Sequence, residues 1–167
     1  MKQLSEYHSF CDIKTILFDF DGVMTNNMVI LNLDGSESVQ CSRYDGFGIS
    51  RVVNLGLYVA VLTSERVPLA KKRCEKLHIP CFDGLNDKLE FATKLLSEQG
   101  LNLNDSCFIG NDINDLSLLE SVSFPIVTCD SHPSVHKNHF YVTSVPGGFG
   151  CVREVCDLIA DSHLSFL

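Results

Sequence analysis

Apolar and polar residues change rhythm several times along the chain. Five short runs are rich in Val, Ile and Phe and bounded by turn residues: 13–19 (IKTILFD), 57–62 (LYVAVL), 106–109 (SCFI), 124–128 (FPIVT) and 140–143 (FYVT). That pattern predicts strands. Between them apolar residues recur at helical spacing. Residues 46–55 run into Gly56, 67–77 (VPLAKKRCEKL) keep the period, 87–99 run into Gly100, and 113–121 and 150–161 complete the set. Alternation of strand and helix predicts an α/β architecture: a doubly wound, mostly parallel, Rossmann-like sheet with helices on both faces. Residues 27–43 (NMVILNLDGSESVQCSR) interrupt it with two strand-like pieces around Asp34-Gly35. This is a hairpin signal, inserted between the first strand and the first helix. No repeat, low-complexity tract or linker divides the chain, so 1–167 reads as a single domain.

At 167 residues, 45% hydrophobic and 20% charged, such a domain buries a core without staples. The net charge of −8 argues against a nucleic-acid or anionic-membrane surface, since both need clustered Lys and Arg. No apolar run is long enough to span a bilayer. The opening MKQLSEYHSFCD is polar and mixed rather than a signal segment, so the expected location is cytoplasmic. The eight cysteines contain no Cys-x-x-Cys pair. They read as free, mostly buried thiols of a reducing compartment, with a disulfide framework the weaker reading. Cys129, His132, His136 and His139 form a possible zinc set. Pro133 predicts a helix start between the first two histidines, which favours ordinary surface and capping histidines.

In an open parallel sheet, ligands bind beyond the carboxyl ends of the strands. The first strand ends in Asp19-Phe20-Asp21-Gly22 and the second in Thr63-Ser64. Lys88 opens a predicted helix, and 106–109 leads to Gly110-Asn111-Asp112 and then Asp115. Two carboxylates one residue apart on a turn repel, and neither can be buried alone. A hard divalent cation, Mg²⁺, answers that need, with Asp19 and Asp112 as side-chain ligands, Asp21 lending its backbone carbonyl and Asp115 behind them. Thr63 and Lys88 would hold phosphate oxygens. Asp19 would attack phosphorus to form an aspartyl-phosphate. Asp21, its side chain free of metal, would protonate the leaving group and then deprotonate the hydrolytic water. Taken singly, these residues have plain readings as capped turns, a strand-end hydroxyl, a solvated lysine and helix-capping aspartates. Together, each on a carboxyl-end loop, they read as one site.

DFDGVMT (19–25), Thr63, Lys88 and GNDIND (110–115) resemble, in order, the four motifs of the haloacid-dehalogenase-like phosphatases, over about residues 13–160. Neither the gap from Asp21 to Asp45 nor that from Thr63 to Lys88 has room for the cap domain most members carry. YDGFGI (44–49), DSHP (130–133) and GGFGCVREV (147–155) resemble the small capless group that acts on sugar-acid phosphates. That resemblance implies a Mg²⁺-dependent phosphomonoesterase with a small anionic sugar-phosphate substrate. It implies a homotetramer, hairpins packed in a central barrel, with the Gly147-Gly148 tail of one subunit closing its neighbour's site. It also implies substrate contacts from Asp45, Gly46 and Ser64. Thr63-Ser64-Glu65, followed by Arg73 and Lys76, looks like the branch acting on nononate or sialic-acid 9-phosphates. Enzymes of the octulosonate 8-phosphate usually show Thr-Gly-Arg there, and that substrate is the alternative. Arg73 would read the carboxylate with its planar fork. Competing readings are a receiver-type phosphorylation switch, a non-catalytic oligomerisation module and a phosphatase of larger partners. Receivers carry their acceptor mid-chain with no acid/base two residues on, and here every motif residue is present. A dinucleotide loop at Gly147–Gly150 lacks the following strand that such a fold requires.

Overall fold

A continuous apolar run puts β1 (Thr15–Phe18) at the centre of the molecule, with all four residues buried. The computed structural model describes residues 10–66 and 68–165. Around β1 stand β4 (Tyr58–Leu62), β5 (Cys81–Phe82), β6 (Ser106–Gly110), β7 (Phe124–Val127) and β8 (Tyr141–Val142), in the spatial order β5-β4-β1-β6-β7-β8. Every pairing in this sheet is parallel. Phe18 lies opposite Val61 of β4 and Ile109 of β6, so three strands end in one row.

Successive β1 residues point to opposite faces, and each face has its own core. Ile16 and Phe18 pack with Ile49 and Val52 of α1 (Tyr44–Asn54) and with Val155 and Ile159 of α5 (Cys151–Leu164). α2 (Pro68–Leu77) closes the same layer with Ala70 and Cys74. Leu17 and Phe108 pack on the other side with Ala92 and Leu96 of α3 (Lys88–Glu98) and with Leu118 of α4 (Leu116–Leu119). The predicted doubly wound α/β sheet is therefore the observed one. Among the described residues no cap domain interrupts it.

The hairpin forms as predicted. β2 (Ile30–Leu31) and β3 (Glu37–Ser38) pair antiparallel. The turn closes with the Asn32 carbonyl and amide bonded to Gly35 and Ser36, and the Asp34 carboxylate accepts the Ser36 N–H at 2.9 Å. Gly35 takes φ +81°, which a side chain disfavours. A bridge between Thr25 and Cys41 closes the base. Beyond that base the hairpin leaves the main sheet, with Met28, Val29, Ile30, Leu31 and Leu33 exposed.

The structure differs from the sequence pattern at several borders. β5 is an edge strand of two residues, too short to show periodicity. The predicted helix at 113–121 begins as a single 3-10 turn, Ile113–Asp115, before α4. The helix predicted from residue 67 is observed from Pro68, residue 67 lying outside the described residues. Among the described residues no cysteine is in a disulfide. There is also no cluster of three or more His, Cys, Asp or Glu side chains placed to hold a metal, so the zinc set does not assemble. His132 instead caps the turn Pro133–Val135 by accepting the Ser134 N–H at 3.2 Å. No described helix is long and apolar enough to cross a membrane.

Candidate active site

The row of strand ends brings the predicted catalytic residues together. Asp19 follows β1, and its N–H continues the ladder to Ile109 O at 2.9 Å. Asp87 caps α3 by accepting the Glu90 N–H, and this cap sets Lys88 as the first helical residue. The Lys88 side chain turns inward and is 2% exposed. Its Nζ lies 2.8 Å from Asp19 and 2.6 Å from Asp115. Asp115 accepts the Asn111 N–H at 2.8 Å and the Asp112 N–H at 3.3 Å, which fixes the loop after β6. Lys88 is thus the strut between the β1 and β6 loops. Burial alone would lower its pKa, but Asp19 and Asp115 outweigh it and raise it, so the ammonium stays charged.

Asp19 accepts the Phe20 N–H at 2.7 Å. Burial raises its carboxyl to about 7, reinforced by the charge of Asp115 and opposed by Lys88. One ammonium between two buried carboxylates leaves this corner short of positive charge. Asp21 is half-buried, and burial raises its pKa too, against a hydrogen bond from Thr25 Oγ1 at 3.2 Å. Thr25 Oγ1 also accepts the N–H groups of Gly22 and Asn27, so it pins Asp21 to the turn. Thr25 lies inside the quoted motif, four residues after Asp21, yet its role was not read from the sequence. Gly22, at φ +78°, sits where a Cβ would run into the Asn111 amide. Only glycine lets the β1 and β6 loops approach this closely.

A cavity of about 180 Å³ opens here, lined by Asp19, Asp21, Thr63, Asp112, Asn111 and neighbours. Asp112 uses one oxygen to accept the Ile113 N–H at 2.7 Å. Asn114 Nδ2 donates to Ser64 Oγ at 3.2 Å and ties the rim of the β6 loop to the β4 loop. A second cavity of about 260 Å³ shares Asp21, Asn27, Thr63 and Glu65 with the first and extends toward Glu37 and Val39 at the hairpin. Asn27, Asn111 and Asn114 are neutral side chains in loops, and no periodicity or charge pattern singles them out. The donor set suits a hard cation held by two carboxylates, a backbone carbonyl and water, rather than by a closed cage of side chains.

The remaining predicted substrate residues stand elsewhere. Gly46, Arg73 and Lys76 line a separate groove of about 550 Å³ between α1 and α2. Arg73 donates to Ser42 O at 2.8 Å, and its buried Nε has no partner among the described residues. Arg73 and Lys76 therefore do not face the Asp19 cavity of their own chain, because α2 turns that side toward α1. Asp45 is fully buried, accepts the Arg153 N–H at 3.2 Å and so joins α1 to α5, and it lines neither of the two cavities. Gly147 and Gly148 lie flat on the backbone of Gly22 and Thr25 of the same chain, where a Cβ would collide. Gly147 N–H is held by Asp130 at 3.0 Å.

No family model matches the chain. Individual proteins do. The 3-deoxy-D-manno-octulosonate 8-phosphate phosphatase KdsC of Escherichia coli K12 is 30% identical over 149 residues, 89% of this chain and 79% of that one. A crystal structure of the same enzyme from Moraxella catarrhalis, in complex with magnesium, phosphate and KDO, superposes with a TM-score of 0.93. It is 28% identical and covers 99% of this chain and 95% of that one. A HAD family hydrolase from Streptomyces avermitilis gives a TM-score of 0.88 at 33% identity over 93% and 90% of the two chains. With these matches running through nearly the whole domain and all four motif positions converging on one rim, the chain belongs to the haloacid-dehalogenase-like phosphatases, in the capless group that includes the KdsC enzymes.

Proposed function

We propose that this chain hydrolyses the phosphate monoester of a 2-keto-3-deoxy sugar acid, with Mg²⁺, through an aspartyl-phosphate on Asp19. The observation that carries the reading is the strut of Lys88 between Asp19 and Asp115 beside an open polar cavity. Asp19, Asp112 and the backbone carbonyl of Asp21 would hold the cation. When bound, Mg²⁺ offsets phosphate charge and supplies the missing positive charge. Lys88 holds Asp19 in place and presents its ammonium to the phosphate oxygens, together with the Thr63 hydroxyl. Asp19 attacks phosphorus as the bond to the sugar oxygen breaks. Asp21, aimed by Thr25, gives that oxygen its proton and then takes one from the water that cleaves the acyl phosphate.

The second cavity is the place for the sugar. Glu65 lines it, which favours a nononate or sialic-acid 9-phosphate. The named relatives favour the 3-deoxy-octulosonate 8-phosphate as the second reading. Among the described residues lining the two cavities there is no Lys or Arg to meet the sugar's carboxylate. A homotetramer built through the exposed apolar hairpin would repair that, with Arg73 and Lys76 presented by another copy. In that assembly the Gly-rich tail closes its neighbour's site through the exposed Phe149, since Gly147 and Gly148 are occupied against their own chain.

The test is phosphate release from the octulosonate 8-phosphate and the nononate and sialic-acid 9-phosphates, with Mg²⁺ and with a chelator. Mg²⁺-dependent preference for a 9-phosphate supports Glu65 as a reader of the sugar. Preference for the 8-phosphate keeps the mechanism and selects the second reading. Release from none of them overturns the proposal.

A further inference from the structure

Two thiols outside the catalytic site are held against each other. Cys74 sits in the last turns of α2 and is 1% exposed. The chain then reverses at His78, whose φ of 57° is left-handed, and the Ile79 N–H bonds back to Cys74 O at 3.2 Å. After this reversal Cys81 opens β5, the edge strand of the sheet, and is partly exposed. The pair is fixed from both sides. Lys71, three residues before Cys74, meets Asp83, two residues after Cys81, at 2.7 Å. Cys81 also lies opposite Val61 in the parallel ladder to β4. Within this frame Cys81 packs against the buried cluster that holds Cys74, and each thiol shifts the titration of the other.

We propose that Cys74 and Cys81 form a dithiol site that hydrogen peroxide converts to a disulfide. The roles follow from geometry. Cys81 reaches solvent while Cys74 is buried, which makes Cys81 the group that meets the oxidant. The neighbouring Cys74 thiol is the main cause holding the Cys81 thiol below its usual range, and Lys71 adds to it. Cys74 is shielded and is held well above that range by the neighbouring Cys81 and by burial, so it stays a thiol until Cys81 is oxidised. In the first step the Cys81 thiolate attacks one peroxide oxygen, the O–O bond breaks, and sulfenic acid and hydroxide form. In the second the Cys74 sulfur attacks the Cys81 sulfur, the S–O bond breaks, and water leaves with the proton of Cys74. Two thiols are oxidised and one peroxide is reduced to two waters. The new bond would join two elements, α2 and β5, that already pack against each other.

The experiment treats the full-length protein with hydrogen peroxide, blocks remaining thiols by alkylation, and maps the digest by mass spectrometry. The expected product is a Cys74–Cys81 crosslinked peptide, lighter by two hydrogens than its reduced pair and restored by dithiothreitol. In Cys74→Ser the sulfenic acid on Cys81 persists and is trapped by dimedone. In Cys81→Ser, Cys74 stays unmodified. Three results would overturn the proposal in the wild-type protein, whether or not either variant folds: both thiols remaining alkylatable, a crosslink from Cys41 or Cys129 in its place, or sulfinic acid on Cys81 beside an untouched Cys74.

Discussion

Lys88 shows how much one residue can settle. It is buried between two carboxylates, and neither would be tolerated there without it. Lys88→Met removes the only ammonium in that triad. We expect a loss of about 3–5 kcal/mol in denaturant unfolding, together with loss of phosphate release. Unchanged stability would mean that the carboxylates have another partner. Asp19→Asn is the complementary change. The amide keeps the acceptor for the Phe20 N–H and relieves the repulsion with Asp115, so the fold stays. Turnover falls at least roughly 10³-fold, because the attacking oxygen is gone. Activity near wild type would remove Asp19 as the nucleophile. At this scale the sequence was legible where a residue type is rare in its place: paired aspartates on a strand end, and a lysine where the helix dipole disfavours one. Asn27, Thr25 and Asn114 were not, since loop amides and hydroxyls usually have local roles.

Elements explain what the residues do not. α1 and α5 pack side by side, and Asp45 is the polar join between them, one carboxylate oxygen on the Arg153 N–H and the other buried with no partner among the described residues. Burial raises Asp45 to about 6, opposed by that backbone hydrogen bond and by Arg73. A raised carboxyl contributes most below its unfolded value, near 3.8, and that contribution is lost as pH rises through about 6. Asp45→Asn cannot ionise. Its stability relative to wild type should therefore rise by up to about 3 kcal/mol between pH 4 and pH 8. A difference that stays flat with pH would show that Asp45 is not strained by its charge. None of this is legible in the residue pattern: a YDGF segment at a helix start looks like a ligand loop, and only packing reveals that its aspartate faces α5. Apart from β5, the strands of the main sheet and the longer helices were readable from periodicity. β5 escaped because two residues at a sheet edge carry no period.

For the whole molecule, the exposed hairpin predicts association. Leu31→Asp with Leu33→Asp, both at exposed hairpin positions, should leave the fold intact and convert the assembled species to monomer in sedimentation. A wild-type protein already monomeric at micromolar concentration would remove the tetramer. The fold class was legible because alternation and motif order agree. Assembly was not, because a hairpin signal does not say what covers it. The register of the sheet has one more consequence. Asp19, Lys88 and Asp115 come from segments far apart in the chain, joined only when β1 lies in register between β4 and β6. Such long-range pairings form late and together. Catalytic competence is therefore a timer for folding: after dilution from denaturant, phosphate release should return with the rate constant of the slowest global phase, and no partly folded species should hydrolyse ahead of it.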